Sequence, residues 1–126
     1  MSETAFASIS KEALIRINKK FTSRGITGVE NEAELERIVS KVLNTRGINR
    51  KAATLLMKLS RRHPFVDGNK RTAYEAATTL LELNGKKLKK LKVGGRWFFR
   101  SVFAWAIEPK TTIDEIVDWI ANHTRK

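Results

Sequence analysis

Apolar side chains recur every three to four residues along most of this 126-residue chain, the spacing of one buried face on successive α-helices. No segment shows the convincing alternation of apolar and polar residues that is typical of a surface strand. Helices are therefore expected over six segments: about 10–21, Asn31 to about 43, about 49–61, about 69–84, about 97–107, and Thr112 onward. The sequence predicts an all-α fold, a compact single-domain bundle of about six helices that covers residues 1–126.

Signals at the expected helix ends support this division. Ser10 is a candidate N-cap, and Thr112 and Glu115 have the spacing of a capping box. Gly85 is placed to end the fourth helix, whose alanine-rich inner face predicts a central position in the bundle. The stretch 22–29 contains two glycines and should be a loop or a short hairpin.

The charged residues, 25 Lys and Arg against 13 Asp and Glu, give a formal net charge of +12. Such a charge attracts an anionic partner, whether a nucleotide, a nucleic acid, an acidic protein surface or an anionic membrane. The densest basic run, 86–100, is most simply a solvated connector, but it could also bind nucleic acid or an acidic protein. The chain has no cysteine, which excludes disulfides, a thiolate nucleophile and a cysteine zinc site. It shows neither a secretory start nor an apolar run long enough to span a membrane, so a soluble, cytoplasmic protein is expected.

Residues 63–71, HPFVDGNKR, lie immediately before the expected fourth helix and carry an anion-binding pattern. A helix N-terminus offers unpaired backbone N–H groups and the positive end of the helix dipole. Gly68 allows the backbone to approach a ligand closely. Lys70 and Arg71 fall in the first turn, where the dipole disfavours cations unless an anion such as a polyphosphate is bound.

The same segment holds residues suited to group transfer. Asp67 offers a hard oxygen ligand for magnesium, which typically binds one or two carboxylates together with substrate phosphates. His63 is the residue best suited to accept a proton near neutral pH. Asn69 can fix the loop or donate to a phosphate oxygen. This set suits phosphoryl or nucleotidyl transfer, although a plain loop with a helix N-cap and solvated cations explains the same letters.

The run from His63 to Ala73 resembles the signature loop of the Fic/Doc (Fido) family. Three further segments, 9–15, 80–85 and 111–120, resemble the first helix, the helix end after the motif and the last helix of Doc-type members. Together they extend the resemblance over nearly the whole chain, with 86–96 matching least. The resemblance implies a compact helical core with a small flap at about 24–29, beside the active loop.

The resemblance also implies a role for each residue of the motif. His63 would be the general base that deprotonates a Ser, Thr or Tyr hydroxyl of a target protein, and Asp67 would hold Mg²⁺. Phe65 would anchor the loop to the core. The nucleotide would be held by Gly68, Asn69 and Lys70, which line an anion hole, and by Arg71, which contacts phosphate. The flap would align the target segment through Gly25, Ile26, Thr27 and Gly28.

Lys70 indicates the subclass. AMP-transferring Fic proteins usually have Gly at this position and a second Arg where Tyr74 stands, whereas Lys is the Doc pattern. The resemblance therefore implies a Doc-type toxin: a protein kinase that uses ATP and Mg²⁺, with elongation factor Tu as its target. No clear inhibitory helix is present, so control by a separate antitoxin chain is expected. Two alternatives stay open, a Fic-type protein adenylyltransferase (AMPylation) and a non-enzymatic basic module that binds nucleic acid.

Overall fold

The computed structural model describes residues 8–22, 28–88 and 108–125. These residues form five helices and one pair of short strands, in the order α1 (Lys11–Phe21), α2 (Glu32–Leu43), α3 (Ile48–Arg62), α4 (Asn69–Leu83), β1 (Lys87–Leu88), α5 (Ile113–Asn122) and β2 (Thr124–Arg125). The mostly helical fold confirms the predicted class. The expected helix at 97–107 and most of the expected flap lie outside the described residues. None of the described helices is long and apolar enough to cross a membrane.

The helix ends follow the capping signals in the sequence. Ser10 and Asn31 each accept a backbone N–H three residues ahead, at 3.1 and 3.0 Å, and so cap α1 and α2. Thr112 and Glu115 form the predicted capping box at the start of α5. Gly85 has φ +78° directly after the C-cap of α4, a left-handed conformation that ends the helix. These ends are therefore set by local sequence.

Helices α3 and α4 lie at the centre of the bundle and pack most extensively against each other. Helix α3 also contacts α2 and α5, while α1 packs on α4. Buried alanines let the two central helices approach closely, and they are Ala52, Ala53, Ala73, Ala76 and Ala77. This confirms the predicted central position of α4, whose N-terminus therefore has a rigid support.

Lys51, in the first turn of α3, is a buried cation that ties two helices together. Its side chain is only 3% exposed, and its Nζ donates to the backbone oxygens of Val42 and Leu43 at 2.9 and 3.0 Å. Those oxygens belong to the C-terminus of α2, where helical carbonyls lack partners and the dipole favours a positive charge. The buried ammonium and the end of α2 therefore satisfy each other.

The strand pair is a feature that the sequence analysis missed. The sequence predicts a basic connector at residues 86–93, but Lys87 pairs with Arg125 and Leu88 with Thr124 in an antiparallel arrangement. Two-residue strands are too short to show alternation, and their pairing joins distant parts of the chain. The pair brings the end of α5 against the segment that follows α4.

Candidate active site

The loop between α3 and α4, residues 63–68, begins and ends with a residue in the left-handed region. His63, the C-cap of α3, has φ 50° and ψ 58°, and it is the one non-glycine residue with positive φ in the described ranges. Gly68, the N-cap of α4, has φ 72°. A histidine in this region is uncommon and strained, which marks a conformation imposed by surrounding contacts. The loop thus turns sharply at both ends and presents His63 as an exposed side chain.

Backbone hydrogen bonds from the segment 28–31 hold one side of the loop. The N–H groups of Glu30 and Asn31 both donate to the oxygen of Pro64, at 2.9 and 3.1 Å. The N–H of Val66 donates to the oxygen of Gly28 at 3.0 Å. Of the four residues predicted to align the target, Gly28 therefore lies directly beside the loop, whereas residues 25–27 lie outside the described ranges.

Phe65 and Asn69 close the loop from within. The Phe65 side chain is 1% exposed and belongs to the hydrophobic core, and its backbone forms a bridge with Val29. The Asn69 side-chain oxygen accepts from the Phe65 N–H, and its amide nitrogen donates to the Phe65 oxygen, each at 2.9 Å. Both polar groups of this buried side chain are thus used by the loop, so Asn69 can offer a bound anion its backbone N–H.

Asn18 of α1 is a site residue that the sequence analysis missed. It is 1% exposed, and its side-chain nitrogen donates to the backbone oxygen of Asp67 at 2.8 Å and to the Thr72 hydroxyl at 3.1 Å. It therefore joins α1 to the loop and to the first turn of α4. The available signal was its position four residues after Leu14, on the same helix face, where a polar side chain needs a partner.

Gly68 occupies a position where a side chain has no room. A Cβ added there would lie 2.8 Å from Thr22 Cγ2 and 3.3 Å from the Asn18 side-chain nitrogen. Thr22 is itself buried, and its hydroxyl donates to the backbone oxygen of Asn18 at 2.9 Å. The close approach of α1 to the start of α4 therefore requires glycine.

The N-terminus of α4 has the features of an anion site. Its N-cap, Gly68, supplies no side-chain hydrogen bond, and the first intrahelical bond is made by Thr72 N–H to the Gly68 oxygen at 2.9 Å. The N–H groups of residues 69–71 consequently lack helical acceptors. The first turn carries Lys70 and Arg71 and no acidic residue, whereas α1, α2 and α5 each carry acidic residues there. Helix α3 also has a glycine N-cap and a basic first turn, but its two cations contact Asp114 and the C-terminus of α2. Backbone donors, dipole and cations thus all attract negative charge at the start of α4.

The two cations differ in their surroundings. Arg71 lies 3.4 Å from a carboxylate oxygen of Glu75, and its guanidinium stacks over the ring of Phe21 at 4.6 Å. Lys70 is exposed and makes no hydrogen bond or ion pair with another of the described residues. Tyr74, one turn further along α4, is half-buried, and burial raises its pKa above the ordinary value. That position therefore adds a neutral side chain.

Two titratable residues of the loop that leads into this helix end, His63 and Asp67, are exposed. Their side chains are not joined to each other by a hydrogen bond or an ion pair. No group of three potential ligands in the described ranges could hold a metal ion by itself. A single exposed carboxylate fits magnesium that arrives with a nucleotide, because Mg²⁺ typically uses one or two carboxylates plus substrate phosphates.

Comparisons with known proteins agree with this picture. A sequence model of the Fic/DOC family matches residues 8–81, more than half of the chain, and this range contains the whole loop and the N-terminus of α4. Toxin Doc of Mycolicibacterium smegmatis is 60% identical over 38 residues. That alignment covers 30% of this chain and 29% of the length of Toxin Doc.

Proposed function

The chain belongs to the Fic/DOC family, and we propose that it acts as a Doc-like toxin that transfers the γ-phosphate of ATP to a Ser or Thr hydroxyl of a protein. Elongation factor Tu is the candidate target. The observation that carries this proposal is the hydrogen-bonded loop 63–68, which carries exposed His63 and Asp67 and leads into an uncapped, cation-bearing helix N-terminus. The identity with Toxin Doc supports the same assignment.

The proposed chemistry uses each group of the site once. His63 takes the proton of the target hydroxyl, whose oxygen then attacks the γ-phosphorus while the bond to the β–γ bridging oxygen breaks and ADP leaves. The backbone N–H groups of residues 69–71 and the cations Lys70 and Arg71 stabilise the negative charge of the phosphate oxygens. Asp67 would hold Mg²⁺, which neutralises phosphate charge when bound with the nucleotide.

Lys70 favours phosphate transfer over AMP transfer. A lysine side chain occupies space and adds a positive charge at a position where AMP-transferring relatives usually carry glycine. Tyr74 in addition supplies no second cation. We propose that the nucleotide is consequently held with its γ-phosphate, and not its α-phosphate, toward the target hydroxyl.

Labelling with two forms of ATP tests the reaction. The wild-type protein should transfer label to a lysate protein from γ-labelled ATP and not from α-labelled ATP. His63→Ala should abolish labelling while nucleotide binding is kept, and His123→Ala, at the end of α5, is the matched control that should retain it. Label from α-labelled ATP alone would instead identify an adenylyltransferase. No label from either form, with salt-sensitive RNA or DNA binding that survives His63→Ala, would identify a nucleic-acid-binding module.

We propose that a separate antitoxin chain controls this activity and that the protein acts in the cytoplasm. The name of the relative, Toxin Doc, supports this arrangement. Expression of the chain alone should arrest growth, and His63→Ala should relieve the arrest. Growth that continues with the wild-type protein expressed and folded would contradict the toxin assignment.

A further inference from the structure

A basic groove lies between α2 and α3, outside the residues of the anion site. It encloses about 550 Å³. Four cations line it: Arg37 and Lys41 from α2, and Lys58 and Arg62 from α3. Its one carboxylate, Glu34, lies 3.6 Å from a guanidinium nitrogen of Arg37. No described carboxylate lies within ion-pair distance of the other three cations, so the groove has an excess of positive charge.

The arrangement of these cations is unfavourable in the free protein. Each helix presents two of them four residues apart, on the same face, and like charges at this spacing destabilise a helix. The two pairs also face each other across the groove. Such a concentration of like charge is expected where an anionic ligand binds.

One end of the groove adjoins the candidate active site. Arg62 lines the groove and directly precedes His63. On the α2 side, Glu34 lines the groove, and its N–H is capped by Asn31, whose own N–H donates to Pro64 of the active loop. From Lys58 to Arg62 the helix rises about 6 Å, so a few extended residues in the groove would lead to His63.

We propose that this groove binds an acidic segment of the protein substrate, next to the hydroxyl that receives phosphate; this inference rests on the proposed function. The positive lining matches aspartate and glutamate side chains. Nucleic acid fits less well, because binding of single strands usually combines a basic groove with aromatic side chains that stack on bases, and none of the lining residues is aromatic.

Binding of a fluorescein-labelled hexaglutamate peptide, followed by anisotropy on the full chain, tests the groove directly. The variant Lys41→Gln/Lys58→Gln should bind the peptide roughly fivefold more weakly or worse, since two ion pairs are lost. The matched control, Lys87→Gln/Lys110→Gln, removes the same charge elsewhere on the surface and should bind like the wild type. Removal of like charges should leave the Tm of the groove variant unchanged or raised.

The binding experiment can fail independently of the proposed phosphate transfer. Peptide binding is measured without catalysis, so a protein that transfers no phosphate still reports on the groove. Where transfer to a target is detected, the groove variant should raise KM and leave kcat unchanged. The inference is overturned if the groove variant binds the peptide like the wild type, or if the control loses binding equally. It is also overturned if a single-stranded hexanucleotide displaces the labelled peptide at lower concentration than unlabelled hexaglutamate does.

Discussion

Replacement of Asn18 by alanine tests whether the loop is held in place from α1. The Asn18 side-chain nitrogen donates two hydrogen bonds, at 2.8 Å to the backbone oxygen of Asp67 and at 3.1 Å to the Thr72 hydroxyl. The bond to Asp67 is the contact between α1 and the loop residue that is expected to hold magnesium. Asn18→Ala removes both bonds and leaves two acceptors without their donor.

The stability lost in Asn18→Ala can be estimated from the burial of the groups that it leaves unpaired. Asn18 is 1% exposed and Thr72 is fully buried, so water cannot easily replace the amide at the hydroxyl. A lost buried hydrogen bond costs about 1 kcal/mol net, and a buried group left unsatisfied costs about 1–3 kcal/mol. The backbone oxygen of Asp67 lies closer to solvent, so the loss of its hydrogen bond lowers the free energy of unfolding by less. We expect Asn18→Ala to lower the free energy of unfolding by about 2–4 kcal/mol, which for a chain of this size lowers Tm by roughly 10 °C.

Urea unfolding and labelling from γ-labelled ATP measure the two consequences. Asn18→Ala should lower kcat more than nucleotide affinity, because the N-terminus of α4 stays intact while the loop loses a fixed point. Asn44→Ala is the matched control: its side-chain nitrogen also donates to a backbone oxygen, that of Ser40 at 2.9 Å, but it is exposed, and its loss should cost less than about 0.5 kcal/mol. Equal stability of the two variants would refute the positioning role of Asn18.

Three further predictions concern the C-terminus of α2 and the N-terminus of α4. Gly68→Ala should lower the free energy of unfolding by about 2–3 kcal/mol, because alanine is strained at φ +72° and its Cβ would lie 2.8 Å from Thr22 Cγ2. Urea unfolding measures this loss, and the second substitution Thr22→Ser, which removes that methyl group, should restore part of the stability. Lys51→Met should cost about 2–3 kcal/mol in the same measurement, since two carbonyl oxygens at the end of α2 lose their buried donor. MgATP at about a hundred times its Kd should add about 2.7 kcal/mol of stability, and Lys70→Gln should reduce the shift in Tm at fixed nucleotide concentration.

The helices could be predicted from the sequence because their signals are local. Ser10, Asn31 and Thr112 cap helices where the sequence placed them, and the apolar stripes mark the faces that become buried. The β1–β2 pair and the burial of Lys51 could not be predicted in the same way. Both depend on partners from another element, 8 or more residues away in the chain, and local periodicity carries no information on such partners.

In the candidate site, too, the features set by local sequence could be predicted, and those that depend on distant residues could not. The residues of the loop and the first turn of α4 are contiguous in sequence, so His63, Asp67 and Lys70 could be selected as candidates from the letters alone. The support of the loop could not, because it comes from Asn18 on α1 and from the backbone of residues 28–31. For Asn69 the sequence left two roles open, and the paired hydrogen bonds to Phe65 assign its side chain to the loop.

Several features that reduce stability in the free protein meet at the start of α4. His63 has a strained backbone, Gly68 leaves the helix without a side-chain cap, and Lys70 and Arg71 lie at the positive end of the dipole. The first turn of α3 is also basic and lacks a side-chain cap, but its cations contact an aspartate and the terminal carbonyl oxygens of α2. A cap typically contributes about 1 kcal/mol, and each misplaced charge costs about 0.3–1 kcal/mol. The N-terminus of α4 thus departs from several preferences for stable helices, whereas its C-terminus has the usual left-handed glycine, Gly85. This contrast indicates selection for something other than stability. Because a bound polyphosphate would reverse the sign of the dipole and charge terms, binding itself would stabilise the N-terminus of α4, and the hydrogen bonds that hold the loop offset its backbone strain until then.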